Sequence, residues 1–386
     1  VVLRIVSPRW ALIDPRYEES AATLGASPRQ TFVNIVWPNI RSAINSSAAL
    51  VFTYCFTSFG VISIVGGFSR RTIETEIFTQ SVRLGNTDVA VTLAVLQMIV
   101  VLLAFQISRP SQHHTTSTHA SSAPMPLHTK PRGRWIVVTS VIIPVIVVTL
   151  PLVATLIRSV SYRGHISFHA WTTVFGGTLP QLTVSTWRVI GTSLLFSVIT
   201  AVVTVLLALI AAQQMGRQWF QYPEQHRVLR FITSLPLVVS AATLGLGLVI
   251  TFNKDPFAWR SHTWLIPVIH ALIALPVAIR ILEPAVQAIP SSLRDNAALL
   301  GASPWHTWLR IDIALLRPAL LRSVGIAAAI SLGEFGVTSF LTRSNSTTMT
   351  MAISQLLGRP GALTQQSGYV LASLLIVLTV GVTSRA

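Results

Sequence analysis

Charge is scarce in this chain of 386 residues: Asp, Glu, Lys and Arg together make 10% of it, and only 12 positions are acidic. Soluble domains are typically about 25% charged, so an ordinary water-soluble fold is excluded. Cysteine is nearly absent as well. The single one, Cys55, excludes a disulfide within the chain and, lying in an apolar block, is expected to be a small packing residue. Lysine occurs only at Lys130 and Lys254, behind Thr and Asn. A phosphate-cradling loop needs Gly-Lys-Ser/Thr, so no such loop exists here. The apolar blocks also lack HExxH, a Ser/His/Asp set and paired carboxylates, which argues against a membrane-embedded enzyme.

What the chain has in quantity is apolar side chains, at 51% of residues. Crossing a bilayer as a helix takes roughly 20 such residues. Ile44 to Val65, Val89 to Ile107, Trp135 to Ile157, Thr192 to Ala212, Phe231 to Phe252, Trp264 to Leu282, Pro318 to Leu341 and Gly368 to Val382 meet or approach that length. The expected class is an all-α polytopic transmembrane helix bundle in the cell membrane, in contact with lipid.

A net charge of +16 would suggest nucleic acid in a soluble protein. Here the arginines flank apolar blocks, as the excess of positive charge in cytoplasmic loops requires, so no nucleic acid is expected. The Arg-rich segments, Arg4 to Arg41, Arg109 to Arg134, Arg217 to Arg230 and Arg294 to Arg317, are assigned to the cytoplasmic side. Residues 66–88, 158–191, 253–263 and 342–367 then face outward.

The chain repeats itself. Displaced by 276 positions, Gly25-Ala26-Ser27-Pro28 falls on Gly301-Ala302-Ser303-Pro304, and Phe59-Gly60-Val61 falls on Phe335-Gly336-Val337. About a third of the first 64 residues match their partners, the mark of an internal duplication. Three regions are expected. Residues 1–107 correspond to the last part of a first unit, whose opening spans the register leaves out. Residues 108–134, rich in Ser, Thr, Pro and His, form a flexible cytoplasmic linker, and residues 135–386 form a second unit of about six spans. The linker's His113, His114, His119 and His128 lack the fixed spacing of a metal site, and neither metal nor cofactor is expected.

Each copy of the repeated phrase reads as helix, break, helix. Gly25 and Gly301 stand where a left-handed residue ends a helix. Ser27 is an N-cap, Pro28 suits the first helical position, and Gln30 completes a capping box that His306 leaves one bond short in the second copy. Pro38 should kink the helix that follows. Taken alone, the pair of short helices is equally an amphipathic connector or a docking element. Its duplication favours docking to a partner that also comes in two copies.

Glu19-Ser20-Ala21-x-x-x-Gly25, followed by Ile35 and Pro38, resembles the EAA loop of ATP-binding-cassette (ABC) transporter permeases. Asp295-Asn296-Ala297-x-x-x-Gly301 and Ile311 resemble it a second time. Departures are Asp295 for Glu, Ser20 and Asn296 for the first Ala, Trp37 and Ile313 for Leu, and Ala314 for the final Pro. The resemblance implies the type I ABC importer permease fold, internally duplicated. It also implies that Glu19, Ala21, Gly25, Asp295, Ala297 and Gly301 form coupling helices, each docking into one of two copies of a cytoplasmic ABC ATPase subunit. An extracytoplasmic solute-binding protein would deliver the cargo. Fusion of two units is similar to iron(III) and thiamine permeases, whereas the phrase "GEFG" at Gly333 to Gly336 is also similar to molybdate and sulfate permeases. A scaffold that moves no solute is the competing class.

Within the spans, Glu334 is an ionisable group that calls for an explanation. It reads either as a pathway acid, with its repeat partner Ser58 on the other half, or as a structural acid bonded to Arg or backbone. His270 is expected to be a hydrogen-bonded packing residue, and Gly245 and Gly247 to allow close helix contact.

Overall fold

Hydrocarbon offers no partner to a peptide N–H or C=O, so apolar blocks fold as helices, which close their backbone bonds internally. The structure, a computed structural model, describes residues 2–11, 13–66, 71–107, 131–162, 164–176, 179, 182–217, 223–252, 262–343 and 346–384. Residues 108–130, with the four linker histidines, lie outside them, and 131–134 already belong to a helix.

In chain order the helices are α1 Val2–Ala11, α2 Pro15–Thr23, α3 Pro28–Thr31, α4 Trp37–Phe56, α5 Gly60–Val65, α6 Ile73–Phe78 and α7 Thr87–Ile107. There follow α8 Pro131–Val160, α9 His169–Phe175, α10 Thr186–Arg217, α11 Pro223–Val238, α12 Ala241–Thr251 and α13 Leu265–Gln287. The chain continues through α14 Ser291–Leu299, α15 Pro304–Thr307, α16 Ile313–Gly333, α17 Gly336–Leu341, α18 Met349–Leu357 and α19 Ala362–Ser384. A small hairpin, β1 Ser161–Tyr162 and β2 His165–Ile166, precedes α9. Among the described residues, seven helical stretches are long and apolar enough to cross a membrane: Pro28–Ile64, Thr87–Ala104, Val138–Val160, Thr186–Met215, Leu265–Gln287, Pro304–Gly333 and Ala362–Ser384.

The chain gathers into two compact units, one of residues 1–58 with 95–146 and one of 59–94 with 147–386. In the first, α1 packs on α4, and Trp10 meets Phe32 with ring centroids 6.4 Å apart. Cys55 is exposed rather than packed, because it shares with Val51, Phe52 and Tyr54 an apolar surface of α4 that this unit leaves uncovered.

The duplication holds at the level of the backbone. With the same displacement of 276, α2 falls on α14, α3 on α15 and α5 on α17. The register also runs past the residues where sequence identity is evident. N-cap Thr72 falls on N-cap Thr348, Gly85 (φ 71°) on Gly361 (φ 128°), and α7 on α19.

Three apolar blocks that read as continuous are broken. Ile44 to Val65 divides into α4 and α5, Pro318 to Leu341 into α16 and α17, and Phe231 to Phe252 into α11 and α12. Pro236 removes a donor from the last turn of α11, and Ser240 starts α12 by accepting from Thr243 N–H at 3.1 Å. The expected kink at Pro38 takes another form. Trp37 N–H bonds Phe32 C=O, five residues back, and Ile313 N–H bonds Trp308 C=O in the same way. Because Ala314 occupies the Pro38 position of the second copy, proline is not the cause of this wide turn.

In the second unit α10, α13 and α16 pack together through small residues, Ala201, Ala274, Ala327 and Ala328, as membrane helices do when backbones must approach. Hydroxyls on one face of α10 reach across to backbone carbonyls: Ser197 to Ala328, Thr200 to Pro267 and Thr204 to Ala271, at 3.2, 3.1 and 3.4 Å. Gly245 admits the Phe340 ring, since a Cβ there would lie 2.7 Å from it, while Gly247 has open space around it. Gly245→Ala should therefore destabilise the purified protein by about 1–3 kcal/mol, and Gly247→Ala should not. Thermal unfolding in detergent checks this; equal melting shifts would contradict the packing.

Candidate functional site

The two repeated loops have one backbone. Gly25 and Gly301 lie at φ 80° and 78°, where L side chains are strained. Ala26 N–H reaches back to Ala21 C=O at 2.9 Å and Gly25 N–H to Ala22 C=O at 3.0 Å. Ala302 to Ala297 and Gly301 to Ala298 repeat both distances. This double bond closes a helix on a left-handed glycine and leaves its tip blunt.

A second helix then begins at each serine. Ser27 Oγ accepts from Gln30 N–H at 3.4 Å, and Gln30 Oε1 accepts from Ser27 N–H at 2.8 Å, completing the capping box. In the second copy Ser303 Oγ accepts from His306 N–H at 3.4 Å, and the His306 ring Nδ1 meets the Ser303 hydroxyl at 2.8 Å. The imidazole is thus spent on the hydroxyl, and the reciprocal bond to backbone is the one the second copy lacks. Glu19, Gly25, Asp295 and Gly301 are exposed, whereas Ala21 and Ala297 are half-buried. Leu24 and Leu300 project at the tips, each 88% exposed. On each loop the exposed leucine follows the exposed acid by five positions, Leu24 after Glu19 and Leu300 after Asp295.

The other candidate residues, Ser58 and Glu334, sit at equivalent helix breaks and are both half-buried. Glu334 ends α16, and its Oε1 accepts from Val337 N–H at 3.1 Å in the first turn of α17. Its backbone carbonyl accepts from the hydroxyls of Thr338 (3.2 Å) and Thr350 (3.1 Å). The acid is bonded to backbone, as its structural reading expects. His270, 1% exposed, bridges Ser331 at 3.0 Å and Thr338 at 2.9 Å, so it is the hydrogen-bonded packing residue expected.

Two ion pairs at the base of the second copy were not foreseen: Arg230 with Glu283, and Arg294 with Asp312 at 2.8 Å. An acid opening an apolar block was the visible signal at Asp312; its partner, 18 positions earlier on another helix, was not. Among the described residues no group of three or more His, Cys, Asp or Glu is arranged to hold a metal ion.

A duplicated bundle of broken apolar helices, carrying matched exposed loops, defines a multi-pass membrane protein of the cell membrane. The family model described as binding-protein-dependent transport system inner membrane component matches residues 3–109 and 204–386, and the chain belongs to that family, whose fold is that of type I ABC importer permeases. It is similar to the thiamine transport system permease protein ThiP of Salmonella typhimurium, 25% identical over 369 residues, and to ThiP of Brucella suis, 27% identical over 378. In both cases the match covers 93% of this chain and 64% of the relative, so the chain spans less than two thirds of those proteins. A putative 2-aminoethylphosphonate transport system permease protein, PhnV of Salmonella typhimurium, is 24% identical over 131 residues, 34% of this chain and 49% of the relative.

The bonding at Glu334 gives its capping role a direct test. Glu334→Gln keeps the acceptor for Val337 N–H and should leave thermal stability unchanged, whereas Glu334→Leu should cost about 1 kcal/mol as a lost cap. Comparable melting of the two variants in detergent would remove the capping role.

Proposed function

We propose that the chain is a permease subunit of an ATP-binding-cassette importer, moving a small solute across the membrane by alternating access. The observation that carries this is the pair of loops with the same glycine geometry, the same serine start and the same exposed leucine. Two equal docking elements suit a motor of two equal parts. Glu19, Ala21 and Gly25 on one loop, and Asp295, Ala297 and Gly301 on the other, would each receive one copy of a cytoplasmic ATPase. The chain supplies no ATPase site of its own, since neither lysine belongs to a Gly-Lys-Ser/Thr loop. A binding protein outside the membrane would deliver the solute.

In this reading residues 135–386 act as one unit, residues 1–107 as the matching last part of another, and 108–134 as their cytoplasmic link. Ser58 and Glu334, at the two helix breaks, would face the solute path. Thiamine is the cargo favoured over iron(III), because relatives matched over 93% of this chain are named for thiamine transport.

ATP-driven uptake by proteoliposomes that contain the protein, its ATPase and its binding protein tests the loops. Gly25→Val and Gly301→Val force a β-branched side chain to positive φ, at a cost of about 1–2 kcal/mol each. Each should lower uptake about tenfold or more while insertion into the membrane is retained. Undiminished uptake would remove the coupling role. Cysteines placed at positions 27 and 303 in a Cys55→Ser background should react with an impermeant reagent from the same side of the membrane.

A further inference from the structure

The two loops share a backbone but not a mounting. In the second copy Arg294, in the first turns of α14, reaches the wide turn that begins the α16 span, and its Nε bonds Asp312 Oδ1 at 2.8 Å. The Asp312 side chain is 3% exposed and that of Arg294 26%, so solvent screens the pair little. A buried carboxylate bonded to guanidinium resists separation, because parting them leaves a charge uncompensated in a poor solvent. The wide turn is also held by packing: its Trp308 lies against a buried apolar cluster that includes Leu282, Val286, Ile289 and Leu316. In the first copy the same two positions hold Glu18, exposed on α2, and Val36, buried in the wide turn. Those two side chains cannot form an ion pair.

We propose that Arg294 and Asp312 are positioning residues that lock the second loop to its membrane helix, so that the two loops are mechanically unequal: the second a rigid lever, the first a compliant one. A displacement imposed on α14 passes directly to α16, because α14 cannot tilt without breaking the pair. The same displacement on α2 is partly absorbed by the loop before it reaches α4. The two halves of the motor would then contribute unequally to solute movement.

The locking itself is tested without an ATPase, by amide hydrogen exchange on the membrane-reconstituted protein. Residues 291–300 should exchange about tenfold or more slowly than residues 15–24. Arg294→Gln should abolish that difference while leaving residues 15–24 unchanged, and the charge-swapped double variant Arg294→Asp with Asp312→Arg should restore it in part. Equal protection of the two loops in the unaltered protein, or protection of 291–300 that survives Arg294→Gln, overturns the proposal.

The mechanical consequence rests on the proposed docking of ATPase subunits and is measured separately, as ATP hydrolysed per solute transported. Arg294→Gln should raise that ratio several-fold with ATPase binding unchanged, and Arg294→Lys should raise it less. An unaltered ratio overturns the unequal roles. Failure of the unaltered protein to bind an ATPase overturns the docking reading instead, and leaves the exchange result to decide the lock.

Discussion

Everything in this structure answers to the need of each peptide group in hydrocarbon for a partner inside the protein. An unbroken helix satisfies that need by itself, but three of the apolar blocks here are broken, and an open break would cost several kcal/mol per orphaned group. Two of the breaks, and the start of α18, are closed by polar side chains, whereas α5 starts without a side-chain cap. Ser240 takes Thr243 N–H, Glu334 takes Val337 N–H, and Ser193 takes the first N–H of α18 at Met349, 2.7 Å away. Spare carbonyls are met in kind, as Thr338 and Thr350 do for Glu334. This explains why so many residues in the interior are serine and threonine: their hydroxyls both donate and accept, and they add no charge to a medium that would oppose it.

Closed breaks allow close packing. A Cβ on Gly336 would lie 2.5 Å from that of Ala241, so α17 and α12 meet at a distance only glycine permits. Phe59 and Phe335 hold equivalent places in the two copies, and within the second unit they stack with centroids 5.4 Å apart and planes 17° from parallel. Phe78 and Phe340 complete the cluster, at 5.3 and 6.4 Å from Phe59 and 5.2 Å from each other. The repeated phrase Phe-Gly-Val supplies aromatic mass for the contact, then a glycine that lets a neighbour come close, Ala241 at Gly336 and the Phe335 ring at Gly60.

The fold was legible where it depends on local chemistry. Serine before proline marked both second helices, and the glycine six residues after the acid marked both left-handed closures, because caps are set by the residues that make them. The helix breaks were not legible, since "FITSLPLVVSAATLGLGLVIT" averages as one apolar block and hydropathy does not tell which of its hydroxyls caps a helix. Cys55 was misplaced for a related reason: in a membrane an apolar surface need not be covered by protein, so composition does not reveal burial. The wide turns at residues 32–36 and 308–312 share an aromatic residue at their first position, Phe32 and Trp308, and isoleucine at their fourth, Ile35 and Ile311, a pattern an ordinary helical turn accepts equally. Of the site, the loops were visible because they recur, whereas the Arg294–Asp312 pair joins separate helices and recurs nowhere.

That last contrast separates two kinds of constraint on a duplicated chain. Between the copies the backbone has been held: glycines at positive φ, serine and threonine caps, and the Phe-Gly break keep their register through 276 residues. Charge is held at some positions, Arg4 with Arg280, Glu19 with Asp295 and Arg41 with Arg317, and not at others. Glu18 answers to Arg294, Val36 to Asp312, Ser58 to Glu334, and the fully buried Glu74 to Thr350. Geometry propagates along a helix, so a change in one cap or glycine shifts everything beyond it and is opposed at every contact downstream. A charge acts over a few ångströms when its partner is adjacent, and can be moved from one half to the other if its local bonds move with it. A fused pair can therefore keep a twofold frame while its two faces become electrostatically distinct, an arrangement closed to an assembly of two identical chains, where every substitution appears twice.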